Sequence, residues 1–368
     1  MSKASHLDST ATGETQPRRI FGTILDQLPS WLPWVLLRLL SGMGVVLALS
    51  FIVFAATQAL PSDPARQILG PEADEAAIVL LRTQLGLDRP LPIQYLDWFS
   101  RVARGDFGVS LDSNVPVSEL LARRLGNTLT LLLCVVALSL PLALTLGIVL
   151  ALWRDSRPAR FFITLLILVK ATPDFIIALG LMFVFALNLQ WLPAVSLMDP
   201  DRSPLAQAEF LVLPALTITL GSLPYLIRLV RTAMIETLES EYVTQARLRG
   251  IPEQALIFSH ALPNALIPVI YGVALMLSVM VGGALIAEVV FAYPGIGSAL
   301  NSAVQMRDLP LIQGAVLIIT LSVVLINLLA DFLTVLLTPR LRTAESKVLN
   351  FWRRSYRRAV QPDSSRGW

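Results

Sequence analysis

The chain has 368 residues, 55% of them hydrophobic and only 15% charged, with a formal net charge of +3 and a mean hydropathy of +0.66. This is far too apolar for a water-soluble globular domain, and the charge is too small and too scattered for a nucleic-acid-binding surface, so nucleic acid is not an expected partner. One cysteine and two histidines supply neither a disulfide framework nor a metal-ligand cluster, so no metal and no cofactor are expected. The class that remains is an all-α, polytopic membrane protein.

Residues 1–33 are rich in Ser, Thr and Gly and read as a solvated cytoplasmic tail, not a signal peptide. Six apolar runs, at 39–60, 127–152, 161–189, 210–227, 264–286 and 311–330, are long enough to cross about 30 Å of hydrocarbon as helices. Six transmembrane helices put both termini on one side. Basic residues near span ends stay cytoplasmic; Arg154, Arg157 and Arg160 in one connection and Arg228, Arg231, Arg247 and Arg249 in another stand against Arg202 and Arg307 in the short loops opposite. The N and C termini are therefore expected in the cytoplasm.

Residues 34–126 hold the first span and a long external loop, in which Pro and Gly punctuate short helices such as 75–85 to form a small structured cap. Residues 127–342 form the expected transmembrane core. Residues 343–368 are a basic cytoplasmic tail in which Phe351, Trp352 and Tyr356 are interleaved with Arg353, Arg354, Arg357 and Arg358, a composition that fits an interfacial helix attracted to anionic membrane lipid and a disordered basic tail equally well.

The third run contains Lys170 and Asp174 on either side of Pro173. The residue before a proline avoids the helical region, so Thr172 is expected to end one helix and cap the next, with Pro173 and Asp174 in its first turn. The uncharged stretch 175–193 then suffices as the span, and 161–170 becomes an interfacial segment whose lysine snorkels to the cytosol. Lys170, Asp174 and Asp331 are accordingly expected to be structural charges at the membrane edge.

Between the fourth and fifth spans lies a polar stretch, 241–263. Val230, Met234, Leu238, Tyr242 and Ala246 recur every four residues, which predicts one continuous helix with an apolar stripe. Gly250 stops that helix in the left-handed conformation and Pro252 opens the next, giving a tight cytosolic elbow. After the fifth span, Pro294, Gly295 and Gly297 dictate an external turn that dips back towards the membrane. Glu288, Arg307 and Asp308 are expected to cap that turn or to pair with one another.

A phosphate-cradling loop needs Gly-Lys followed by Ser or Thr, and the lysines are Lys3, Lys170 and Lys347, none after a glycine. The chain is thus not expected to be an enzyme, and any ATPase comes from another polypeptide. An intramembrane protease would need a Ser/His pair or two aspartates at membrane depth, which His260, Asp174 and Asp331 do not provide. The competing class is an ion-coupled secondary transporter, for which only Lys170 and Asp174 could serve.

Ala246, Gly250, Leu262 and Pro263 fit A-x-x-x-G-x(11)-L-P, the loop signature of the inner-membrane permease subunits of binding-protein-dependent ABC importers. The chain resembles that family. Glu241, Tyr242, Val243, Ala246, Arg247 and Gly250 are similar to its dipeptide/oligopeptide (and nickel) branch, although Thr244 and Gln245 replace the usual Glu and Ala and His260 replaces an apolar residue. Pro61, Asp63, Pro64, Gly70, Leu85 to Asp88, Pro90, Gln94, Tyr95, Trp98, Gly105, Asp106, Gly108 and Ser110 in the long loop look like the same branch, with Ser62 where glycine is usual. So do Glu288, Pro294, Gly295 and Gly297, followed by Arg307, Asp308, Pro310, Gln313 and Gly314.

The resemblance implies a type I ABC importer permease fold in the bacterial inner membrane, forming the translocation path for a peptide or similar small solute. It also implies that Glu241, Tyr242, Ala246, Arg247, Gly250, Leu262 and Pro263 couple to an ATPase groove, and that Glu288, Pro294, Gly295, Gly297, Arg307 and Asp308 form an external turn and gate. The implied partners are a second related permease in a heterodimer, two ATPase subunits or domains, and a substrate-binding protein. The solute stays open among dipeptides, oligopeptides, nickel chelates and glycosides.

Overall fold

The computed structural model describes residues 31–59, 66, 69, 73–84 and 86–337. Most of the tail expected over 1–33, all of that over 343–368, and Pro61, Asp63, Pro64, Gly70 and Leu85 of the long loop lie outside the described residues. The chain forms two compact units: one is Gly42–Thr338, and the other takes in Met1–Ser41 and Pro339–Trp368, of which 31–41 are described and helical.

Among the described residues there is no strand, only an isolated bridge between Val109 and Pro116. In chain order the helices are α1 (Trp31–Gln58), α2 (Glu75–Gln84), α3 (Leu91–Val102), α4 (Val117–Leu152), α5 (Arg157–Ala171), α6 (Asp174–Leu181), α7 (Glu209–Leu238), α8 (Glu241–Leu248), α9 (Leu262–Val290), α10 (Ile296–Met306) and α11 (Leu309–Leu337). A π-helical segment, Met182–Asn188, extends α6, and another, Leu256–Ala261, leads into α9. Five helical stretches are long and apolar enough to cross a membrane, and the bent pair α5 and α6 makes a sixth if counted as one span.

The helices outrun the apolar runs that predict them. α4 starts at Val117, not Asn127, and α7 continues past Ile227 to Leu238. A helix satisfies its own backbone, so it has no reason to stop where charge begins. Pro116 marks the true start of α4 because the proline at its N-cap needs no N–H there. Pro141, Pro214, Pro224 and Pro268 lie inside these long helices, as membrane helices tolerate.

α7 packs against α4 and α9, with Leu213, Ile227 and Met234 at most 1% exposed. The outer surface is inverted relative to a soluble protein: Leu133, Phe161 and Leu168 are exposed, an arrangement suited to hydrocarbon and costly in water. α3 lies against α1 and α11, with Tyr95, Trp98 and Val102 packed on Val46, Phe54 and Leu317. Tyr95 meets Phe51 edge-on at 5.2 Å and shares a 2.8 Å hydrogen bond with Ser50. Gln313 on α11 donates to Thr57 on α1 at 2.7 Å. The cap expected from the Pro and Gly punctuation is thus a helix strapped to the first and last spans.

Candidate functional sites: a polar elbow, a clamped turn and a broken span

α7 does not run on into the elbow. It ends at Leu238, Ser240 is extended (φ −67°, ψ 150°), and α8 starts afresh at Glu241. The restart shifts the apolar register by one residue, because the four-residue spacing holds only along an unbroken helix. Val243 is fully buried and Ala246 nearly so, while Tyr242, expected on the stripe, is exposed. The Ser240 hydroxyl turns back to the Thr237 carbonyl of α7 at 2.5 Å and makes no cap bond to α8, and this local bonding is what the periodicity hides.

The end of α8 is a Schellman closure. The Gly250 N–H donates to the Arg247 carbonyl at 3.0 Å and the Ile251 N–H to the Ala246 carbonyl at 3.3 Å, with Gly250 at φ +79°, the region glycine enters without steric cost. Ile251 then packs with Val243, Ala246 and Leu256 as a small apolar plug. Pro252 stands at the N-cap of the next turn, Glu253–Ala255, not inside it. That turn runs through the π segment into α9, where Pro263 lacks the N–H that an α-helix would use.

Arg247 reaches Glu253 across the elbow with two bonds of 2.8 and 3.3 Å, and this carboxylate raises the arginine pKa. Asn264 donates to the Tyr242 hydroxyl at 3.0 Å and to the His260 carbonyl at 2.9 Å. Arg154 and Glu239 form a further ion pair at this end of the bundle. Leu262 and Pro263 stand at the start of α9, and Glu241 opens α8 exposed to solvent. Two residues that sequence reasoning passed over stand out: Leu248 is 83% and Phe258 61% exposed on an otherwise polar surface.

At the opposite end of α9, Glu288 is fully buried and holds the following turn. Its Oε1 accepts from the Thr128 hydroxyl at 2.6 Å, and its Oε2 accepts from the backbone N–H of Gly297 at 2.6 Å and of Ser298 at 3.4 Å. Those N–H groups open α10, so the carboxylate sits at a positive helix end. Thr128 also accepts from the Ile296 N–H at 2.9 Å, Asn127 donates to the Pro294 carbonyl at 2.8 Å, and Tyr293 donates to the Asn127 carbonyl at 2.9 Å. A Cβ at Gly295 or Gly297 would collide with the Glu288 carboxylate. Burial first, and then the Glu288 charge, push the Tyr293 phenol above its ordinary pKa.

Glu288, Arg307 and Asp308 do not pair with one another. Arg307 is the left-handed C-cap of α10 (φ +57°). Asp308 turns the other way: it accepts from the Leu311 N–H at 3.2 Å, capping α11, and from the Ser110 hydroxyl at 2.5 Å. Each carboxylate is taken by a helix N-terminus, whose first N–H groups have no partner within their own helix. Thr128 and Asn127, which complete the clamp, carry no local signal because they lie some 160 residues before the turn.

The third span breaks where Pro173 predicts, with α5 and α6 bent by 102°. Thr172 ends α5 and returns its hydroxyl to the Leu168 carbonyl at 3.0 Å, while Pro173 itself stands at the N-cap of α6. The Lys170 ammonium donates to the Gly221 carbonyl of α7 at 3.3 Å. Gly221 stands inside the apolar run 210–227, about 9 Å along α7 from the elbow-side end of that run. Asp174 faces the same glycine; a Cβ there would lie 2.5 Å from its Oδ1, and one on Gly283 of α9 would lie 3.7 Å from its Oδ2. Asp331 is half-buried in the last two turns of α11.

These features coincide with a known protein family. Residues 143–343 match the binding-protein-dependent transport system inner membrane component family, and residues 31–132 match the N-terminal family of such membrane components. A Brucella ovis protein named as a peptide permease is 38% identical over 316 residues, covering 84% of this chain and 99% of the relative. A Brucella suis protein of the same naming gives the same identity and coverage. The Salmonella typhimurium glutathione transport system permease protein GsiC is 37% identical over 311 residues, again 84% and 99%. The matches run through the first span, the cap, the elbow and the clamped turn, and they decide against an ion-coupled secondary transporter. The chain belongs to the family of inner-membrane components of binding-protein-dependent transport systems.

Proposed function

We propose that the chain is one of two related permease subunits of an ATP-driven importer of small peptides, with glutathione within the same class. The names of its relatives support that solute class. The elbow carries the mechanism: residues 241–263 present Leu248, Phe258 and Tyr242 as exposed apolar knobs on a unit whose own core is only a small plug of Val243, Ala246 and Leu256 with Leu238 and Ile251 against it, a form suited to seating in a groove of a cytosolic ATPase subunit. Glu241, Arg247, Gly250, Leu262 and Pro263 shape that unit. Residues 34–126 serve as first span and external cap, 127–342 as the transmembrane core, and the tails at 1–33 and 343–368 lie in the cytosol, the second against lipid. A loaded substrate-binding protein docks on the cap side, where the turn of Pro294, Gly295 and Gly297, held by Glu288 and flanked by Arg307 and Asp308, acts as the outer gate. Asp331 has a structural role near the cytosolic end of α11.

The test is reconstitution. The purified chain alone should neither bind nor hydrolyse ATP; with the second permease, the ATPase subunits and the binding protein in proteoliposomes, ATP should drive uptake of labelled dialanine or glutathione with the proton gradient collapsed. ATP binding by the isolated chain, or uptake that requires the gradient, overturns the reading.

A further inference from the structure

Lys170 and Asp174 are two opposite charges set against the apolar run of α7 without neutralising each other. They flank the break between α5 and α6, and no ion pair forms between them. The Lys170 ammonium has three donors, of which one goes to the Gly221 carbonyl at 3.3 Å. The Asp174 carboxylate takes no hydrogen bond from any described residue. It lies between α7 and α9, against Gly221, where a Cβ would collide with it, and beside Gly283. Ionisable groups within membrane spans are costly, and they persist where they face a water-filled cavity or a ligand. The helix ends at the break favour one base and one acid on electrostatic grounds, but that does not explain why both are turned onto the same residue of α7, or why the carboxylate is left with unused acceptors. Asp174 is half-buried and Lys170 exposed.

We propose that Lys170 and Asp174 form a station in the translocation path that binds the two charged ends of a zwitterionic solute, Asp174 accepting from its ammonium and Lys170 donating to its carboxylate. The inference rests on the peptide reading above and deepens it: the site selects for free termini, which neutral solutes and end-blocked peptides lack. Charge-assisted hydrogen bonds of this kind are strong enough to select yet release in a multi-step path.

The experiment is equilibrium binding to the complete transporter in lipid nanodiscs, without binding protein, of labelled dialanine, N-acetyl-dialanine and dialanine amide. The wild type should bind free dialanine at least tenfold more tightly than either blocked form. Asp174→Asn should abolish the discrimination against acetylation and keep that against amidation, and Lys170→Gln should do the reverse. A merely structural role would weaken all three ligands by one common factor, and that result, or no change, overturns the proposal. Asp174→Glu and Lys170→Arg keep the charges and should keep the discrimination; if the neutral variants fail to accumulate, these two decide, and their failure to accumulate or to discriminate also overturns it. If the wild type neither binds nor takes up dialanine or glutathione, the peptide reading itself falls and this inference with it.

Discussion

The elbow and the clamped turn are both glycine- and proline-shaped connections at opposite ends of α9, yet they are held in opposite ways. The turn is organised around a fully buried carboxylate whose bonds all go to groups that would otherwise be orphaned. The elbow is organised around an apolar plug, a surface ion pair and one left-handed glycine. Buried charge with every donor matched is rigid, and it fails as a unit when one member is removed. A solvated elbow loses little from any one contact, and its exposed Leu248 and Phe258 are free to be covered by another protein. One end is built to keep its own shape, and the other to take part in an interface.

That contrast is open to direct challenge. Glu288→Ala should have the largest effect, since it leaves the Thr128 hydroxyl and the Gly297 and Ser298 N–H groups unmatched; a loss of about 3–5 kcal/mol should appear as lowered melting temperature in detergent and reduced abundance in the membrane. Should the variant melt like the wild type, the turn is not clamped as described. Thr128→Val removes one of those bonds and the support of Ile296, and should cost about 1–3 kcal/mol by the same measurement. Gly250→Val meets open space but a forbidden backbone conformation, costing about 1–2 kcal/mol; abundance should hold while ATP-driven uptake falls severalfold, because the elbow shifts. Uptake at the wild-type rate would remove the elbow from the coupling route. Arg247→Ala should be the mildest, changing stability by about 0.5 kcal/mol or less, and a large stability loss would show that the elbow is not the loosely held end.

Much of this was legible along the chain because the signals are local. Pro173 announced the break in the third span, Gly250 and Pro252 announced the elbow, and long apolar runs announced the spans. What stayed hidden was whatever depends on a partner distant in sequence. Glu288 reads as one of three nearby charges until Thr128 and the start of α10 are brought to it. Lys170 reads as a residue near a helix end, and only the packing of α5 on α7 shows that its ammonium meets the Gly221 carbonyl. Tyr242 was misplaced for a different reason: the four-residue spacing ran through Ser240, whose extended backbone broke a period that looked continuous.

The bond from Gln313 to Thr57 joins residues 256 positions apart, and that separation has a meaning in time. At a synthesis rate of roughly 5–20 residues per second, Thr57 emerges about 13–50 s before its partner. Its hydroxyl donates meanwhile to the Phe54 carbonyl of its own helix at 2.8 Å, so the first span can enter the bilayer with no polar hydrogen left unmatched. The bond from Ser110 to Asp308 must likewise wait for the chain to reach the last helix. A nascent chain interrupted before α11 would therefore carry the cap on the first span alone, held by Tyr95 against Phe51 and Ser50, with the other half of the strap undone.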